Sequence, residues 1–193
     1  MTTETEDKLA SARSQAMAQY DSIVEMVDRL RVANDDEAYE AMAKELAEAS
    51  GFTVLPNDED GYCWAKGDGS QADDTSYDDE DEAWLACCDD NGLRPDADEA
   101  RQAIEEDALS CEVRSGWTTP GNPMEAEEFR ILLCTGGPAV QIRGELGQYS
   151  EPSRAWMECQ DWFTSWTEVF GEGERRISQD TLLEYARCFF FGE

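Results

Sequence analysis

The chain has 193 residues, with 45 Asp and Glu against 15 Lys and Arg, no histidine, and a formal net charge of −30. So large a like-charge excess repels itself in the compact state and argues for a benefit elsewhere. It disfavours direct contact with DNA or RNA, and the missing imidazole removes the commonest neutral-pH base and every Ser/His/Asp or Cys/His arrangement.

A hydrophobic fraction of 40 % with 10 % aromatics is ample for a core, which separates this chain from disordered acidic tails. No apolar run approaches the roughly 18 residues of a membrane span, and the opening Met1-Thr2-Thr3-Glu4 is unlike a signal peptide. The expectation is a cytoplasmic protein. Seven cysteines sit mostly in apolar stretches as small hydrophobes, and without a Cys-x-x-Cys spacing or any histidine neither a metal nor a cofactor is expected.

Along the chain, Leu9, Ala12, Ala16, Tyr20, Ile23, Val27 and Leu30 recur at steps of three and four, one face of a long helix. Ala38, Met42, Leu46 and Ala49 repeat the pattern after Asn34-Asp35-Asp36 and stop at Gly51, so an antiparallel helical hairpin is expected. Short β-like runs follow at 52–55 and 62–65, then a loop over 67–82 rich in Gly, Ser, Asp and Glu. Helices are expected over 80–90, around Trp84, Leu85 and Cys88, and from Asp96 to about Leu109, with Asp96 or Asp98 as the cap.

Strands are expected at 110–115, 128–134 and 139–146, where Val140, Ile142 and Gly144 alternate with Gln141, Arg143 and Glu145 as in a sheet wet on one side. Thr135-Gly136-Gly137-Pro138 is a hairpin turn between the last two, giving a three-stranded antiparallel meander. Trp156, Cys159, Phe163, Trp166 and Phe170, with Trp162 and Val169, fall at helical steps after Ser150-Glu151-Pro152. A last helix carries Leu182, Leu183, Tyr185, Ala186, Phe189 and Phe190. The fold class is therefore α+β: a helical hairpin and acidic helical region over 1–110, then a three-stranded antiparallel sheet packed by aromatic helices over 111–193, as two regions or one continuous domain.

Phosphate loops, dinucleotide fingerprints and EF-hands are absent: setting the EF-hand glycine on Gly61 puts Pro56 at the first ligand position and Gly67 at the last. What remains is the charge. Residues 1–110 hold 31 acids and 8 bases, residues 111–193 hold 14 and 7, and 57–107 alone hold 19 and 3. Asp58, Glu59, Asp60, Asp73, Asp74, Asp78, Asp79, Glu80, Asp81, Glu82, Asp89, Asp90, Asp96, Asp98 and Glu99 are the candidate partner-binding surface. Carboxylates a few ångströms apart along helices and loops can enter the groove that a basic protein keeps for phosphates. Salt adaptation or solubility is the rival reading, supported by 3 Lys against 12 Arg, but it calls for acid spread evenly over the chain. A carboxylate-dependent enzyme would instead need acids converging in a pocket.

Ser115-Gly116-Trp117, the run from Glu128 to Val140, Gln160-Asp161-Trp162, Trp166-Thr167-Glu168 and the closing Tyr185-Ala186-Arg187 with Phe191-Gly192 carry a resemblance. Over about 109–193 the chain resembles a family of small, uncharacterised proteins encoded by bacteriophages and other mobile elements, which brings no catalytic residues. In charge and size it is similar to the acidic anti-restriction and anti-CRISPR inhibitors that imitate DNA. The resemblance implies a non-enzymatic phage inhibitor whose partner is a basic nucleic-acid-binding host protein such as a CRISPR effector subunit, with no nucleic acid or membrane bound directly and a homodimer left open.

Overall fold

The computed structural model describes residues 2–57, 61–68, 75–162 and 164–192, with side chains from residue 9 onward. Its contacts divide the chain into two compact units, one formed by 1–27 with 101–193 and the other by 28–100. This division groups contacts, whereas the composition break near residue 110 sums charge along the chain.

In the unit 28–100, helix α1 (Thr2–Asn34) delivers Val32 and ends at Asp35, whose carboxylate caps helix α2 (Asp36–Ala49) by accepting from Ala38 N at 2.8 Å. The strands β1 (Phe52–Pro56) and β2 (Tyr62–Lys66) form an antiparallel hairpin, as their composition suggests. Tyr77 bridges to Tyr62 through two backbone hydrogen bonds of 2.9 Å and leads into helix α3 (Glu80–Asn91). The core joins Val32, Tyr39, Ala43, Ala47, Phe52, Trp64, Trp84, Cys87 and Cys88. Phe52 and Trp64 meet edge to face with centroids 5.7 Å apart, a favoured aromatic geometry.

One expectation needs correction here. Helix α2 packs on α3 and the β1–β2 hairpin. The buried face of α2 is Tyr39, Ala43 and Ala47, one residue on from the stripe Ala38, Met42, Leu46 and Ala49, of which the first three are half-buried and Ala49 is exposed. One residue is 100° of helix, so both stripes border the same apolar arc; the aromatic Tyr39 decides which side goes inward.

In the other unit, helix α4 (Ala97–Asp107) leads to a five-stranded antiparallel sheet, β3 (Ser110–Arg114), β4 (Glu128–Cys134), β5 (Ala139–Leu146), β6 (Pro152–Gln160) and β7 (Thr167–Val169), in that spatial order. The sheet is therefore not three-stranded. The segment expected to be an aromatic helix after Ser150 supplies β6 and β7. Within 152–160 two periods coexist: Trp156 and Cys159 are three apart, yet Ala155, Met157 and Cys159 alternate with Trp156, Glu158 and Gln160. The period of two wins because β5 gains a second hydrogen-bonded neighbour and the alternate set buries on the core face.

A short hairpin of β8 (Gly171–Glu172) and β9 (Arg175–Arg176) precedes helix α5 (Gln179–Ala186), capped by Ser178 and packed on β6. The core face of the sheet presents Phe129, Ile131, Val140, Ile142, Ala155, Met157, Cys159 and Val169, all buried. Ala12, Ala16, Tyr20, Ile23 and Val27 of α1 are buried as their spacing predicts. Tyr20 accepts from Ser178 N at 2.8 Å, and Tyr185 donates to Asp107 at 2.7 Å.

Candidate functional site

The expected acidic surface falls largely in the unit 28–100, which holds 23 acids and 5 bases, while the remaining 120 residues hold 22 and 10. Of the candidates, Asp58, Glu59, Asp60, Asp73 and Asp74 lie outside the described residues. The other ten are all exposed.

Local physics places many of them. Asp79 caps α3 by accepting from Glu82 N at 2.7 Å, and Glu80, Asp81 and Glu82 occupy the first turn, where the helix dipole favours negative charge. Asp96, the first of the two caps proposed for α4, accepts from Glu99 N at 2.9 Å, with Asp98 and Glu99 in the turn it opens. Trp84 Nε1 donates to Glu80 at 3.2 Å.

Other acids run against local physics. Asp89 and Asp90 close α3, and no base stands in the last turn of α2, α3 or α4, although cations are what the dipole favours there. Asp89 has a structural task, accepting from the Tyr39 hydroxyl at 2.8 Å; Asp90 has no hydrogen bond or ion pair among the described residues.

Neutralisation is sparse. Lys44 reaches Glu80 at 3.6 Å, Arg29 reaches Glu99 at 3.7 Å and Arg94 reaches Asp36 at 2.8 Å, all between exposed or half-exposed side chains. Such pairs hold charges together only weakly. Asp78, Asp81, Glu82, Asp90 and Asp98 have no ion pair among the described residues.

The sequence reading missed Asp35, Asp36, Glu37, Glu40, Glu45 and Glu48, which are exposed along α2 in the same unit. Their signal was available: with Ala43 and Ala47 inward, these positions are the polar side of the same helix. Comparison with protein-family models, curated proteins and solved structures finds no match. The functional reading therefore rests on the residues themselves.

The chemistry open to this surface is electrostatic. None of the ten described acids lines the cavity bounded by Glu112, Arg130 and Trp166 or the one bounded by Pro123, Tyr149 and Phe191. Among the described residues no three Cys, Asp or Glu converge as a metal site, and no helix is long and apolar enough to cross a membrane. The thiols nearby are inert: burial pushes Cys87 up to about 12 and Cys88 up to about 11, far from the reactive thiolate range.

Proposed function

We propose that this protein is a non-enzymatic inhibitor of phage or mobile-element type, whose acidic unit occupies the nucleic-acid channel of a basic host defence complex such as a CRISPR effector. The observation that carries the reading is the set of exposed carboxylates without ion pairs around α3 and the start of α4, with Asp90 kept where the helix dipole opposes it. A fixed row of anions on short helices reproduces the feature of DNA that basic proteins bind without regard to sequence. The partner would supply the counter-charges that the protein's own 5 bases in this unit do not.

Affinity in this mechanism comes from release of counterions on both surfaces and from long-range steering, so it falls steeply with salt. The partner contacts would come from Asp78, Asp81, Glu82, Asp90 and Asp98 first, since binding breaks no internal ion pair there. The test is a pull-down with purified CRISPR effectors and basic nucleases at two salt concentrations, with duplex DNA as competitor. Capture that weakens with salt and with added DNA supports occlusion of the DNA channel. Capture indifferent to both, or no capture, overturns it and leaves solubility as the role of the charge.

A further inference from the structure

The wet face of the sheet carries a feature separate from the acidic unit. Glu112, Arg130, Arg143 and Trp156 are successive register partners from β3 to β6, and Arg114, Glu128, Glu145 and Arg154 form the next rung. Between β4 and β5 the rungs set like charges opposite each other, Arg130 facing Arg143 and Glu128 facing Glu145, an arrangement sheets disfavour. Glu128 relieves part of it by accepting from Arg114 at 2.7 Å and Arg143 at 2.6 Å, which hold its carboxyl below the usual range; Arg130 is held by Glu112.

A cavity of about 330 Å³ opens on this face, lined among others by Arg114, Glu128, Arg130, Gln141, Arg143 and Trp166. Gln141 stands out. Alternation places it on the wet face, yet it is 2 % exposed, correcting the expectation of a solvated position. Its amide nitrogen donates to Glu158 at 2.7 Å, which fixes the amide orientation, since a flip would set two oxygens together. Its Oε1 is then a buried acceptor without a partner, a rare and costly condition in a folded protein. Glu158, whose side chain is 12 % exposed, also accepts from Trp156 Nε1 at 2.9 Å.

The cavity thus presents two neighbouring guanidiniums and, close by in the same sheet, an acceptor lacking a donor with a carboxylate behind it. Its lining sets three arginines against Glu112 and Glu128, with Glu158 bonded to Gln141 outside that lining, and a protein at −30 repels purely anionic ligands. A zwitterion meets every one of these conditions. We propose that this cavity binds a free α-amino acid, its carboxylate bridging Arg130 and Arg143, its ammonium donating to Gln141 Oε1 and its side chain lying against Trp166. The volume is at the small end of the roughly 300–1,000 Å³ range of small-molecule sites.

The experiment titrates the intact protein with each of the twenty amino acids, read by calorimetry and tryptophan fluorescence, alongside N-acetyl and carboxamide derivatives of any that bind. Saturable binding is expected for at least one, weakened about tenfold or more in either derivative and in both Gln141→Leu and Arg130→Gln. Arg130 is exposed, so its variant carries the test even if Gln141→Leu fails to fold. Absence of saturable binding by all twenty overturns the proposal, as does binding that survives both derivatives or is indifferent to Arg130→Gln. The outcome is independent of whether the acidic unit binds a basic partner.

Discussion

The Tyr39 hydroxyl and the Asp89 carboxylate lie 2.8 Å apart, a hydrogen bond that joins the first turn of α2 to the last turn of α3. It accounts for one acid at a helix end where negative charge is unfavourable. Tyr39→Phe keeps the buried ring and leaves Asp89 facing water, so the loss is that of one charge-assisted hydrogen bond without a stranded carboxylate. Urea denaturation should give about 1–2 kcal/mol less stability. A change near zero would mean that the bond adds nothing over hydration of Asp89.

Gly144 on β5 faces Phe129 on β4 and Ala155 on β6, on the buried side of the sheet. A Cβ there would run into the Phe129 ring and the Arg154 carbonyl oxygen, the second of which belongs to backbone and cannot rotate away. Gly144→Ala should therefore destabilise by about 1–3 kcal/mol or more through overpacking. Thermal melting checks this, with Gly121→Ala as the contrasting case, where a Cβ meets nothing but φ is +96°.

Sequence reading recovered the elements whose signal is local. The strands Glu128–Cys134 and Ala139–Leu146, the hairpin at Phe52 and Tyr62, and the cap at Asp96 all follow from alternation, turn chemistry and capping side chains within a few residues. It misread Pro152–Gln160 because Trp156 and Cys159 satisfy a helical step while the deciding factor, an open edge on β5, is set by residues elsewhere in the chain. Gln141 was illegible for the same reason: alternation assigns its face, but its burial beside Glu158 depends on β6 being a strand at all. For the acidic surface, exposure of the ten described candidates was legible from charge, whereas the share contributed by α2 depended on which of two adjacent stripes turned inward.

Alkaline pH should unfold this protein early. Burial raises Cys87 from 9.0 to about 12 and Cys88 from 9.0 to about 11, and burial followed by the bonds to Asp89 and Asp107 raises Tyr39 and Tyr185 well above 10.0. Because the folded values lie above the unfolded ones, their stabilising contribution is complete below the unfolded values and is lost as pH rises toward the folded ones. Each thiol removes about 1.4 kcal/mol per pH unit across its window. Urea midpoints should fall steadily from pH 9 to pH 11, and Cys88→Ala should flatten that slope whatever it does to stability at pH 7.

Glu82 and Asp90 stand at opposite ends of α3 and separate the two roles that charge can have. At the first turn Glu82 is favoured by the helix dipole, so Glu82→Gln should cost about 0.3–1 kcal/mol at low salt. At the last turn Asp90 is disfavoured, so Asp90→Asn should stabilise by a similar amount. If the acidic unit binds a basic channel, both substitutions remove one exposed charge, and both should weaken capture and reduce its salt dependence by a comparable step. If the charge serves only the protein's own solubility and folding, capture is absent for both while the melting temperatures still move in opposite directions. Thermal melts at low salt paired with binding across a salt series distinguish the cases, because no effect confined to folding makes the stabilised Asp90→Asn protein a weaker binder.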